Sequence, residues 1–136
     1  MFNATCQSEL KEFLKERISL SESTRANYAR GEDTYDPILS QAVVFPESNE
    51  EVSKILKICN KYKMPVVPFG TGTSLEGNVV GNENGITISL EKMNKVLSVN
   101  VEDFDCRVQA CVTKEQINDY LREDGVFFPI DPGANA

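Results

Sequence analysis

The chain has 136 residues, 40% of them hydrophobic and 26% charged, the balance of a chain able to bury a core and not of a disordered or fibrous one. Its 21 Asp and Glu outweigh 14 Lys and Arg, giving a net charge of -7, so no basic surface is available to neutralise a phosphate backbone and nucleic acid is excluded as a partner. No stretch approaches the roughly 20 apolar residues of a membrane helix, and the first residues are amphipathic and mixed in charge, with no signal-peptide core. A cytoplasmic protein without a transmembrane segment is expected.

Leu10, Phe13, Leu14 and Ile18 stand at helical spacing among Lys and Glu and predict a short amphipathic helix over 8–18. Ser19 to Pro37 is mostly polar, with a turn at Arg30 to Asp33, and reads as an arm without a core of its own. Gln41 to Phe45 predicts a short buried strand before Pro46. Ser48 and Glu51 then form a capping-box signature, with Val52, Ile55, Leu56 and Cys59 at i, i+3, i+4 and i+7 of a helix ending near Tyr62. Met64 to Phe69 predicts a strand whose two prolines cannot donate ladder hydrogen bonds. Strand, helix, strand and then glycines make a crossover unit feeding a loop.

Three half-buried strands are expected next, from the alternation of Ile86, Ile88 and Leu90, of Leu97, Val99 and Val101, and of Cys106, Val108 and Ala110 with polar residues. Thr113 and Gln116 make a second capping box, and Ile117, Tyr120 and Leu121 form the apolar stripe of a helix that Gly125 stops. Phe127 and Phe128 lead into a loop that runs to Ala136.

Histidine is absent, which removes the commonest metal ligand, the usual general base and any Ser-His or Cys-His pairing. Cys6, Cys59, Cys106 and Cys111 form no CxxC pair and no disulfide framework, so free and mostly buried thiols are expected. Cys106 and Cys111, five apart on one strand, would point to opposite faces. Glu102, Asp103 and Asp105 read as a turn, since too few oxygen ligands accompany them for calcium. Tyr28, Tyr35 and Phe45 read as packing aromatics.

The segment that reads as chemistry is Gly70 to Gly77, GTGTSLEG, directly after an apolar strand. Small residues let backbone N–H groups approach an anion, and Thr71, Thr73 and Ser74 add hydroxyl donors, a composition suited to a pyrophosphate. A plain connection between elements fits the same composition. A P-loop would need Gly-Lys-Ser/Thr where Gly77, Asn78 and Val79 stand, and a dinucleotide fingerprint would need glycine where Leu75 stands. Glu76 would repel a pyrophosphate and is expected to face solvent.

Four blocks, QAVVFP with the Ser48 helix, VVPFGTGTSLEG, EKMNKVLSVNVED and FFPIDPGANA, together resemble the FAD-binding domain of the vanillyl-alcohol oxidase (PCMH) type. Within it they are most similar to the branch of FAD-linked D-lactate dehydrogenases and glycolate oxidase catalytic subunits. The resemblance implies an α+β fold: a small parallel βαβ lobe followed by the start of an antiparallel sheet lobe. It divides the chain into an N-terminal helix and arm (1–38), a first flavin lobe (39–90) and an incomplete second lobe (91–136). It also implies that Gly70, Thr71, Gly72, Thr73, Ser74 and Leu75 wrap the FAD pyrophosphate and that Asp131, Pro132 and Gly133 lie along the same cofactor.

Covalent relatives carry histidine where Thr73 stands, so the resemblance implies non-covalent FAD. Family members continue through a Ser-x-Gly-Gly stretch, further flavin strands and a cap domain, so the chain is expected to be an N-terminal fragment, inactive alone. Its partners would be those remaining flavin and cap domains and a small 2-hydroxy-acid substrate, with no catalytic residue and no metal site in these residues. The rival expectation is a non-catalytic nucleotide-binding or interaction module.

Overall fold

The computed structural model describes residues 3–130. Helix α1 spans Ala4–Leu14, capped by the Asn3 side chain, which accepts from the Thr5 and Cys6 N–H groups at 3.0 and 3.1 Å. The Asn3 cap starts it earlier than its apolar spacing predicts, and it ends earlier because Lys15 takes a positive φ of 55°. Ile18 consequently leaves the helix for a two-residue strand β1, Ile18–Ser19. The arm is also more ordered than expected, since it folds into a further helix α2, Glu22–Asn27.

Strand β2 (Ala42–Val44), helix α3 (Asn49–Lys61), strand β3 (Val66–Phe69) and strand β4 (Ile86–Ser89) follow, in the sheet order β1-β2-β4-β3. β4 pairs parallel to both β2 and β3, while β1 pairs antiparallel to β2. The crossover through α3 thus leaves room for β4 at the centre and puts β3 on the sheet edge. Pro68, which cannot donate to a ladder, is tolerated because one side of β3 has no strand to bond.

Helices α1 and α3 pack Cys6, Leu10, Leu14, Ile55, Ile58 and Cys59 with Ala42, Val44, Ile86 and Ile88 of the sheet. Leu56, at an apparently apolar spacing, is 45% exposed, and Ile58 takes its place in the core. Every residue of β4 is buried, so the half-buried reading of this strand is corrected. Thr87 lies inside because its hydroxyl donates to Ser40 Oγ at 2.8 Å, and Ser40 Oγ also accepts from the Asn82 N–H at 3.0 Å.

The Ser48 hydroxyl accepts from the Glu51 N–H at 3.3 Å, but Glu51 does not return the bond. Its carboxylate instead takes both guanidinium nitrogens of Arg17 and the Glu47 N–H at 2.8 Å. Arg17 thereby ties β1 to the start of α3, and Arg17 Nη1 also donates to the Phe45 carbonyl at 3.3 Å.

Contacts divide the chain into two units, Met1–Lys92 and Met93–Ala136. The second holds an antiparallel pair, β5 (Val96–Asn100) and β6 (Asp105–Val108), with a register irregularity between Val96 and Ser98. Helix α4 (Lys114–Leu121) follows, with a complete Thr113/Gln116 capping box, then one 3₁₀ turn and Gly125 in the left-handed region. Ile117 and Leu121 are buried, whereas Tyr120, expected in the same stripe, is 57% exposed. Cys111 lies beyond the end of β6, so it shares no strand with Cys106.

Both units together give a mixed α+β architecture with one largely parallel and one antiparallel sheet, as expected. No described helix is long and apolar enough to cross a membrane.

Candidate functional site

β3 delivers the chain into the glycine loop at its carboxyl end, where parallel α/β sheets bind ligands. Gly70, just past the strand, and Thr71 are exposed; Gly72, Thr73 and Ser74 are half-buried; Leu75 is 68% exposed and Glu76 faces solvent. Gly72 has φ 78°, and a Cβ on it would stand 2.8 Å from the Phe69 ring. Glycine is therefore required there both for its backbone angle and for the ring beneath it. Phe69 is held in turn by Tyr28, edge-on at a centroid distance of 5.0 Å, and Tyr28 also meets Phe45 edge-on at 5.7 Å. The Tyr28 hydroxyl donates to Glu91 Oε2 at 2.5 Å. The packing role expected of Tyr28 and Phe45 holds, and that packing forms the floor of the loop.

The loop's polar groups are unevenly used. Its carbonyls find donors: Gly72 O accepts from the Glu32 N–H at 3.0 Å and Gly77 O from the Val80 N–H at 3.2 Å. By contrast, from Thr71 to Gly77 no backbone N–H donates to an acceptor among the described residues, and neither do the hydroxyls of Thr71, Thr73 and Ser74. A run of donors without a protein acceptor on a strand-to-loop turn leaves those N–H and hydroxyl groups available to an anion without help from lysine. It fits a net charge of -7, because the protein's field need not supply the attraction.

Sequence reasoning missed the residues that brace this loop from outside. A Cβ on Gly31 would lie 2.7 Å from both Gly72 O and Ser74 O, so the arm meets the loop backbone to backbone. The Asp33 carboxylate accepts from the Gly31 and Tyr35 N–H groups, at 3.2 and 3.1 Å, and the Tyr35 ring lies against Gly77. Arg30 to Asp33 signalled a turn, but nothing local in the sequence indicates what that turn rests on.

Asp131, Pro132 and Gly133, expected along the cofactor, lie outside the described residues. Phe127, earlier in the same block, is exposed, and Phe127 to Ile130 help line an apolar cavity of about 450 Å³ in the second unit with Val99, Phe104 and Leu121. Cys6 and Cys59 are buried and Cys106 and Cys111 only partly so. Burial pushes the Cys59 thiol up to about 12 and raises that of Cys6, which makes both poor nucleophiles. Glu102 and Asp103 form the β5–β6 turn, and Asp105 accepts from the Asn100 amide at 2.6 Å.

Residues 40–136 match the sequence profile of the FAD binding domain family. A probable mitochondrial D-lactate dehydrogenase of Danio rerio is 45% identical over 121 residues, covering 89% of this chain and 24% of that enzyme. A mitochondrial cytochrome-linked D-lactate dehydrogenase of Arabidopsis thaliana is 39% identical over 131 residues, covering 95% of this chain and 23% of that enzyme. The chain thus spans about a quarter of the length of these relatives. Both are mitochondrial by name, so the expected cytoplasmic location gains no support from them.

An alkyldihydroxyacetonephosphate synthase structure matches with a TM-score of 0.90 over 99% of this chain and 30% of its own, at 23% identity, a likeness of fold. The resemblance expected from the four sequence blocks is borne out. A loop of unused donors after a parallel edge strand and a profile match over most of the sequence lead to one conclusion: the chain belongs to the FAD binding domain family.

Proposed function

We propose that this chain holds the pyrophosphate of FAD in a flavin-dependent enzyme that oxidises D-lactate, with glycolate the alternative 2-hydroxy acid. The observation that carries the reading is the run of unused donors from Thr71 to Gly77. In this reading the backbone N–H groups of the loop and the hydroxyls of Thr71, Thr73 and Ser74 donate to phosphate oxygens. Gly70 and Gly72 leave room for the backbone to approach, and Leu75 lies beside the cofactor. Asp131, Pro132 and Gly133 join the site through the family resemblance alone.

When bound, FAD supplies the hydride acceptor for oxidation of a 2-hydroxy acid. This chain's own residues bind and orient; none is assigned a catalytic role, and the substrate groups belong to the remaining flavin and cap domains. Attachment is non-covalent, because Thr73 offers an unactivated hydroxyl and the chain has no imidazole. The choice of D-lactate rests on the names of the relatives.

The test is a chimaera in which this chain replaces the matching segment of the Danio rerio enzyme. It should retain FAD through gel filtration and release it to the supernatant on acid precipitation. Gly72→Val in the same chimaera should reduce flavin occupancy at least about tenfold, because valine is strained at positive φ and meets the Phe69 ring. A folded chimaera without flavin would overturn the reading in favour of a non-catalytic module, and flavin in the acid pellet attached to this chain would overturn non-covalent binding.

A further inference from the structure

We propose that the segment 28–38 is a clamp for the glycine loop and that Gly31 is its positioning residue, an inference that rests on the pyrophosphate role proposed above. Two backbone bonds join the segment to both ends of the loop region. The Glu32 N–H donates to Gly72 O at 3.0 Å, and the Gly81 N–H donates to Ala29 O at 3.0 Å. The Ile38 N–H also donates to Ala29 O, at 3.3 Å, which closes the segment on itself. The Asp33 carboxylate fixes the turn between those points through the Gly31 and Tyr35 N–H groups.

Gly31 stands where the two backbones meet. A Cβ there would lie 2.7 Å from Gly72 O, 2.7 Å from Ser74 O and 2.9 Å from Val79 Cγ2. The first two are backbone atoms with no rotamer by which to yield, so an added methyl has to displace the loop or the clamp. The φ of Gly31 is ordinary, so its requirement is for close approach and not for a special angle.

The direction of these carbonyls has a chemical consequence. In a planar trans peptide the C=O of one residue and the N–H of the next point in opposite directions, and every peptide in the described chain is trans. With Gly72 O bonded to the Glu32 N–H and Ser74 O lying close against Gly31, the N–H groups of Thr73 and Leu75 are directed away from the clamp. The clamp therefore does two things for an anion: it holds two repulsive oxygens back and presents two donors on the opposite side. Without it a glycine-rich loop would rotate its peptides freely, and the oxygens would compete with the donors for the same surface.

The experiment uses the 136-residue chain labelled with nitrogen-15 and titrated with ADP as a pyrophosphate probe, monitored by amide resonances. In the wild type, ADP should shift the amides of Thr73 and Leu75 most. Gly31→Ala should move the ligand-free resonances from Gly72 to Leu75 and weaken ADP binding about tenfold, or ~1.4 kcal/mol. The amides of Leu10, Ile55 and Ile86, in the core away from the clamp, should stay in place, a split that a merely destabilised fold would not give.

Asp33→Ala adds no atom to the contact and should weaken binding about threefold, so the test survives if Gly31→Ala does not fold. Unchanged loop resonances and unchanged ADP affinity in both variants would overturn the clamp while leaving the pyrophosphate reading intact. A wild-type chain whose loop amides ignore ADP while the chimaera retains FAD would overturn the clamp alone, and a folded chimaera without flavin would overturn both.

Discussion

The two units use the same sequence device, alternation of apolar and polar residues, to opposite effect. In Ile86–Ser89 the alternation belongs to a strand buried on both faces, paired on both edges and covered by α1 and α3. In Val96–Asn100 and Asp105–Val108 it belongs to a two-stranded pair in which no residue is fully buried. The first unit has a contiguous core drawn from two helices and two strands, whereas the buried apolar side chains among the described residues of the second are Met93, Ile117 and Leu121. Two-stranded pairs are marginal alone, whereas the glycine loop follows a strand of the four-stranded sheet that carries the first unit's core. The difference teaches that period fixes which residues share a face but not whether the opposite face meets water.

The largest effect should come from the core itself. Ile55, fully buried between helix and sheet, should cost about 2–5 kcal/mol when cut to alanine, through lost burial and the cavity left behind. Val99→Ala in the second unit, at a half-buried position of a hairpin, should cost less than about 1 kcal/mol. Urea unfolding of both variants, followed by hydrogen exchange of the wild type, checks the contrast. Equal costs, or equal protection of β4 and β5 amides, would remove the distinction between the units.

A middling effect sharpens why β4 is buried. Ser40→Ala leaves the Thr87 hydroxyl and the Asn82 N–H without their shared acceptor, and an unpaired buried polar group costs about 1–3 kcal/mol. Thr87→Val in the Ser40→Ala background should recover part of that loss, because an apolar side chain of similar shape needs no partner. Failure of the second change to recover stability would mean that the hydroxyl pair does not decide the burial of the strand.

Much of this was legible in the residues. The α3 helix, the strand ending at Phe69, the glycine loop and the α+β class follow from local pattern and from the four blocks of family resemblance. Tertiary partners explain what was not. The two capping boxes look alike in sequence, yet only the exposed Thr113/Gln116 box closes, because Arg17, distant in sequence, captures the Glu51 carboxylate. Ile18 has the spacing of an α1 residue, while its place is set by pairing with Val44. The clamp is invisible for the same reason: Gly31 signals only a turn and Tyr35 only a packing aromatic, whereas both touch a loop some forty residues away.

The smallest expected effect concerns that captured carboxylate. The hydrogen bonds from Arg17 hold the Glu51 carboxyl below the usual carboxylate range; burial opposes this and the Glu47 N–H adds to it. Glu47 stands 3.9 Å from Arg17 and Lys92 stands 3.8 Å from Glu47, so the pair sits in a small charged network whose other members are more exposed. A carboxyl whose folded pKa is depressed stabilises the fold fully above its unfolded value, near 4.3. That contribution is lost as pH falls through the folded value.

The contribution should be about 1 kcal/mol, above the median of exposed pairs because the contact is bidentate and partly buried. Glu51→Gln should therefore be less stable than wild type by about that amount at pH 6, and the gap should narrow as the pH is lowered below 4. Urea titrations of both proteins at pH 6, 4 and 3 provide the check. A gap that persists unchanged at pH 3 would mean that Glu51 acts through its shape and its bond to the Glu47 N–H and not through its charge, and the tie between β1 and α3 would have to be assigned to the Arg17 bond with Phe45 instead.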